Sequence, residues 1–108
     1  MRTKNITWDT ETMRIDELVR AKRETILEIA ARHGARNVRL FGSVARGDAD
    51  EQSDVDFLVD LDPGRSLLDM GGLLMDLRAL LGRDVDVMTP RTLKPRIRVS
   101  ALRDAIAL

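Results

Sequence analysis

Between Asp54 and Leu61 the chain alternates, residue by residue, between two kinds of side chain. Successive residues of a strand point to opposite faces, so Val55, Phe57 and Val59 share one face while Asp54, Asp56 and Leu58 share the other. One face needs apolar backing and the other carries two carboxylates side by side, which describes a strand half buried in a sheet. Asp62-Pro63-Gly64 ends it with turn-forming residues.

The flanking sequence supplies the rest of such a sheet. Asn37 to Phe41 reads as an earlier strand with Val38 and Leu40 alternating around Arg39, and Val85 to Met88 as a later one. Apolar residues at helical spacing predict a helix over 12–33, with a break near Lys22 and Gly34 at its end, and a second over 66–81 closed by Gly82. The Gly71-Gly72 pair should weaken that second helix. Ser43 to Gly47 reads as one short helical turn, and 94–107 as a final helix whose Pro95 fits only its first turn. The fold class expected is α/β in the α+β sense: a small mixed sheet of three to four strands with helices packed on one face. Residues 1–11 show no periodicity and read as a flexible N-terminal arm, anchored if at all by Trp8, ahead of a single domain over 12–108.

A chain of 108 residues has material for one core. With 44% hydrophobic and 33% charged residues it is composed like a soluble globular protein, and neither a membrane span nor a secretory leader is visible, so the cytoplasm is expected. There is no cysteine, which excludes thiolate metal sites and a cysteine nucleophile. Eighteen basic residues balance eighteen acidic ones, so net charge does not advertise direct nucleic-acid binding. The distribution is uneven: Asp48 to Asp62 holds seven acids and no base, whereas Arg91 to Arg103 holds Arg91, Lys94, Arg96, Arg98 and Arg103 and no acid.

Chemistry concentrates where the first strand meets Leu40-Phe41-Gly42-Ser43-Val44-Ala45-Arg46-Gly47. Glycines there permit close backbone approach, and free N-H groups at a helix start attract phosphate. After ten intervening residues from Ser43 come Asp54 and Asp56, like charges that need a cation; oxygen ligands of this kind select Mg2+ or a similarly hard ion. A third acid follows in Asp84-Val85-Asp86-Val87, and three carboxylates on two strands could hold two ions about 4 Å apart. A solvated acidic edge strand would carry the same Asp54 and Asp56 pair, but the glycine-serine turn and Asp86 at these spacings favour a site.

Gly42-Ser43, ten residues, Asp54-x-Asp56 and a later aspartate on a strand resemble the nucleotidyltransferase superfamily typified by DNA polymerase beta. The fuller run from Leu40 to Gly47, with Ser53 to Val59 and Val85-Asp86-Val87, is similar to the minimal nucleotidyltransferases, often encoded beside a HEPN-domain toxin. The resemblance covers Ile26 to Leu108 and implies the polymerase-beta-like fold. It further implies that Gly42 and Ser43 hold a nucleoside triphosphate, that Asp54 and Asp56 ligate both metal ions, and that Asp86 completes the metal site and helps to activate the acceptor. Arg46 would support the loop or a phosphate, and a structural salt bridge is the equal alternative. By the same resemblance ATP is the substrate, AMP is the group transferred, and a tyrosine of a HEPN toxin accepts it, which makes the chain an antitoxin.

Asp84 departs from the family pattern and by alternation shares the face of Asp86, so either could be the third ligand. Asp48, Asp50, Glu51, Asp60 and Asp62 read as solvated loop charges, His33 as a helix-end residue, and Met70, Met75 and Met88 as core or gap filling. The basic C-terminal segment reads as a solvated helix face, with a docking surface for an acidic partner or an RNA contact as sharper alternatives. Two other functions remain open: a binding antitoxin that neutralises by complex formation, and a transferase acting on a small molecule or RNA with a separate substrate-binding subunit. Nucleotide base, metal identity and oligomeric state are not legible.

Overall fold

The computed structural model of the protein describes residues 15–50 and 52–108; the expected arm over 1–11, including Trp8, lies outside the described residues. The elements run α1 (Ile15–Ala21), α2 (Arg23–Arg32), β1 (Ala35–Phe41), α3 (Gly42–Arg46), β2 (Val55–Leu61), α4 (Leu67–Leu81), β3 (Val85–Met88), α5 (Pro95–Asp104) and β4 (Ile106–Ala107). The break at Lys22 is present as the boundary between α1 and α2. The four strands form one sheet in the order β3-β2-β1-β4. β1 pairs antiparallel with both β2 and β4, and β2 pairs parallel with β3. The sheet is therefore mixed, with α4 as the crossover that a parallel pair requires.

The apolar face of β2 is sealed. Val55, Phe57 and Val59 are buried beneath Leu18 and Val19 of α1, Ile26, Ile29 and Ala30 of α2, and Leu73, Leu77 and Leu81 of α4. The α4 trio falls at i, i+4 and i+8, one stripe of the helix. Each such large side chain taken fully out of water contributes about 1.5–3 kcal/mol. On the opposite face Leu58 packs with Leu93 and Ala101, and Phe41 and Met88 flank them. The helix α5 thus covers the far end of the acid-bearing face, in addition to the three helices on the other side.

Three local expectations change. The final helix ends at Asp104, because Ala105 turns extended (φ −63°, ψ 142°) and Ile106 and Ala107 pair with Leu40 and Arg39 along the open edge of β1. Leu67, Leu68 and Met75 fit helical periodicity but stand exposed, since the sheet reaches only the stripe of α4 through Leu73. Asp60 and Asp62 are not merely solvated: Asp60 accepts from Arg39 at 2.9 Å and from Asn37 at 3.0 Å, and Asp62 from Arg36 at 3.0 Å. They clamp the end of β2 to β1 beside the irregularity where Asn37 adopts φ 52°.

The glycine pair in α4 is also accounted for. A Cβ on Gly72 would fall 2.7 Å from His33 Cε1, so the bare backbone gives the imidazole room against the helix. One turn later Asp76 bonds His33 Nε2 at 2.7 Å, tying the end of α2 to α4. The start of α4 is fixed by a capping box in which Ser66 Oγ accepts from the Leu68 N-H at 3.2 Å and Asp69 accepts from the Ser66 N-H at 2.9 Å. That bond, more than the nearby Arg65, holds the Asp69 carboxyl below its ordinary pKa.

Candidate active site

β2 lies between β1 and β3, and its register puts Asp56 directly opposite Phe41 on one side and Asp86 on the other. Asp56 and Asp86 are register partners on adjacent parallel strands and share one face. Burial first, then the charges of Asp86 and Asp54, raise Asp56 from 3.8 to about 6, while Arg46 pulls the other way. Four of the six expected site residues are thereby tied together.

Gly42 makes the fifth. It follows β1 at φ 74°, a conformation costly for any residue with a Cβ. A Cβ there would also run into Asp56 Oδ2. The close approach therefore sets backbone directly against the half-buried carboxylate. Ser43 follows in α3, whose last residue is Arg46 and whose end is closed by Gly47 at φ 79°. Arg46 Nε stands 3.4 Å from Asp48, a long ion pair between half-exposed side chains.

The two candidates for the third acid separate. Asp86 is the register partner of Asp56, whereas Asp84 precedes β3 and its carboxylate accepts from Arg78 at 3.0 Å. The Asp84 carbonyl accepts from the Val55 N-H at 3.0 Å, so its backbone starts the parallel pairing while its side chain turns to α4.

Residues 22–108 match the model of the nucleotidyltransferase domain. The chain belongs to that family. This nucleotidyltransferase is 37% identical over 94 residues to a Methanocaldococcus jannaschii protein provisionally named protein adenylyltransferase MJ0435, an alignment spanning 87% of this chain and 97% of the relative. It is 43% identical over 79 residues to the protein adenylyltransferase MntA of Thermococcus cleftensis, across 73% and 80% of the two chains. Among solved structures, one provisionally described as a minimal nucleotidyltransferase superposes with a TM-score of 0.80 at 52% identity, covering 90% of this chain and 98% of the other. A toxin-antitoxin structure with AMP-PNP shares the fold at TM-score 0.67 and 20% identity, over 78% and 69% of the chains. The enzyme class and the mixed α+β fold follow.

The donor set of the nucleotidyltransferase fits a hard divalent cation. Its polar atoms are carboxylate oxygens from neighbouring strands, and the crowding that raises Asp56 is what a cation between them would relieve. Among the described residues no three acids already stand as a ready ligand set. Asp54 acts on Asp56 through its charge, so the site is a carboxylate pair with a third acid beside it.

Sequence reasoning missed an open depression of about 490 Å³ beside Asp54, bounded by Gln52, Ser53, Arg78, Gly82, Arg83 and Asp84. Arg78 lies in a helix read for its apolar stripe, and only the fold brings it to the start of β3. The tight contact of Gly42 with Asp56 was equally hidden, because a glycine after a strand is common and its neighbour lies on another strand.

Proposed function

We propose that the chain is a metal-dependent protein adenylyltransferase which transfers AMP from ATP to a hydroxyl, a tyrosine of a HEPN-domain toxin, and thereby acts in the cytoplasm as that toxin's antitoxin. The observation that carries this is the pairing of Asp56 with Asp86 across adjacent strands on one sheet face, with the Gly42 turn set against Asp56 and the charge of Asp54 beside it. Relatives named as protein adenylyltransferases support a protein acceptor, and the toxin-antitoxin neighbour solved with AMP-PNP supports both an adenine nucleotide and a toxin partner. The described helices include none long and apolar enough to cross a membrane.

In the proposed reaction the acceptor oxygen forms a bond to the alpha-phosphorus of ATP, the bond to the bridging oxygen breaks, and pyrophosphate leaves. Asp54, Asp56 and Asp86 would hold Mg2+, two ions in all, whose charge would offset that on the phosphates. The backbone of Gly42 and the Ser43 hydroxyl would hold the triphosphate, and Arg46 would add a positive charge beside it. Asp86 orients the acceptor hydroxyl and receives its proton. Little else is asked of the protein, since alignment of the two oxygens with phosphorus supplies much of the acceleration. No tyrosine occurs in the chain, so the tyrosine acceptor must belong to another molecule.

Incubation of the purified chain with ATP, Mg2+ and a HEPN toxin, followed by intact mass, tests this directly. Addition of adenylate mass to the toxin, lost with Asp54→Asn, is the expected result. A toxin silenced equally by wild type and Asp54→Asn, with no change in mass, would replace adenylyl transfer with neutralisation by binding.

A further inference from the structure

The helix α5 is ten residues long and only Ala101 in it is buried. Isolated helices shorter than about 12–15 residues are marginal in water, and most helices in proteins are held by an apolar face packed on something. Here the apolar side chains face outward: Ile97 is 48% exposed, Val99 68% and Leu102 43%, and Ile106 just beyond is 49% exposed. Arg96, Val99 and Arg103 fall at i, i+3 and i+7 on one side of the helix, with Leu102 next to Val99. The segment from Arg91 to Arg103 contains five bases and no acid in a chain whose charges balance only as a whole, and the acid that follows it, Asp104, lies 3.5 Å from Arg103. The result is an aliphatic centre with a basic rim, the composition of a surface that meets an acidic partner.

Its position gives this surface a role. Through Ala101 and Leu93, α5 rests on Leu58, two residues along β2 from Asp56 and on the same face, beside Met88, which stands in the same relation to Asp86. A macromolecule seated on α5 therefore lies along the face that bears the carboxylate pair.

We infer that the exposed side of α5 is the docking surface for the protein that supplies the acceptor hydroxyl, and that it selects an acidic surface carrying aliphatic side chains. RNA is the less fitting occupant: bases are gripped by stacking on aromatic rings, and the segment from Arg91 to Arg103 has no aromatic side chain. This docking role rests on the adenylyl transfer proposed above, and it names how that site chooses its acceptor.

The test compares wild type with Arg96→Glu/Arg103→Glu and with Val99→Asp, all as full chains, in AMP transfer to the HEPN toxin and to two random copolymers, glutamate-tyrosine and lysine-tyrosine. Arg96, Val99 and Arg103 are exposed, so folding should survive, and thermal unfolding with ATP affinity monitors this independently. Wild type should prefer the acidic copolymer, with a KM for the toxin that rises with salt. The double reversal should raise that KM by about tenfold or more, flatten its salt dependence and shift preference to the basic copolymer, with ATP affinity unchanged. Val99→Asp should raise KM without reversing the preference. An unchanged KM in both variants, or no preference between copolymers in wild type, overturns the docking role. Loss of single-stranded RNA binding in the double variant with an unchanged toxin KM would overturn it in favour of RNA. Failure of wild type to label any acceptor would instead remove adenylyl transfer itself.

Discussion

The two faces of β2 are built from interleaved residues of one seven-residue strand, yet they obey opposite rules. Val55, Phe57 and Val59 are sealed by three helices, and among the described residues no polar one is buried with them. Asp56, on the other face, is kept half buried next to two further carboxylates, under a glycine whose Cβ would collide with it. The apolar face stabilises the fold and the acidic face is tolerated at its expense. A strand can carry both because alternation separates them by the thickness of the sheet.

The comparison breaks most visibly when one residue is removed from each face. Phe57→Ala should cost about 3–5 kcal/mol of stability, read by denaturant unfolding, with activity at low temperature retained by whatever remains folded. Asp56→Asn should do the reverse. Transfer activity should fall by about a thousandfold or more, as when other charge-stabilising groups are removed from active sites, while the melting temperature of the metal-free chain at pH 7 holds or rises because a crowded charge has gone.

Gly42→Ala probes the seam between the faces. Its φ of 74° should cost about 1–2 kcal/mol, and the added Cβ displaces Asp56, so activity should fall by about a hundredfold, measured as kcat/KM. A variant with full activity would mean that the glycine serves the turn alone.

Acidification sharpens the contrast further. Asp56 binds its proton more readily in the folded chain, with a pKa of about 6 against an ordinary 3.8. Its contribution to stability is thus fully present below about pH 4 and lost as pH rises through 6. In metal-free buffer the melting temperature should rise from pH 7 to pH 5, and Asp56→Asn should lack that rise. Asp69 has the opposite sign, its stabilisation fading as pH falls through the ordinary carboxylate range, so the two effects occupy different windows.

The smallest effects belong to α4, which backs the apolar face. Nothing stands near a Cβ on Gly71, so Gly71→Ala should stabilise by about 0.5–1 kcal/mol through helix propensity alone. At Gly72 the same change meets the His33 ring and disturbs its 2.7 Å bond to Asp76, so Gly72→Ala should forfeit that gain, seen as a lower melting temperature than Gly71→Ala.

Much of this was legible in the sequence. The period-two pattern of 54–61 announced the central strand and which side chains share a face, because alternation is a local property of extended backbone. The break at Lys22, the short helix after Gly42 and the extent of β3 were local too. The acids Asp54, Asp56 and Asp86 could be nominated from their spacing. What could not be read was whatever depends on a neighbour distant in sequence. Helical periodicity makes Leu67 and Leu68 look like core, but only the reach of the sheet decides which stripe is covered. Ile106 and Ala107 were read as helix because nothing local reveals the open edge of β1. Asp84 and Asp86 look alike in sequence, and it takes the register to align Asp86 with Asp56 while Asp84 bonds Arg78. By itself the sequence determined three of the four strands, the approximate helices and the chemical character of each face, since these follow from the residue and its immediate neighbours. Tertiary structure alone decided which carboxylates meet, which glycine touches them and which helix stays bare, because each of those depends on segments brought together only when the sheet closes.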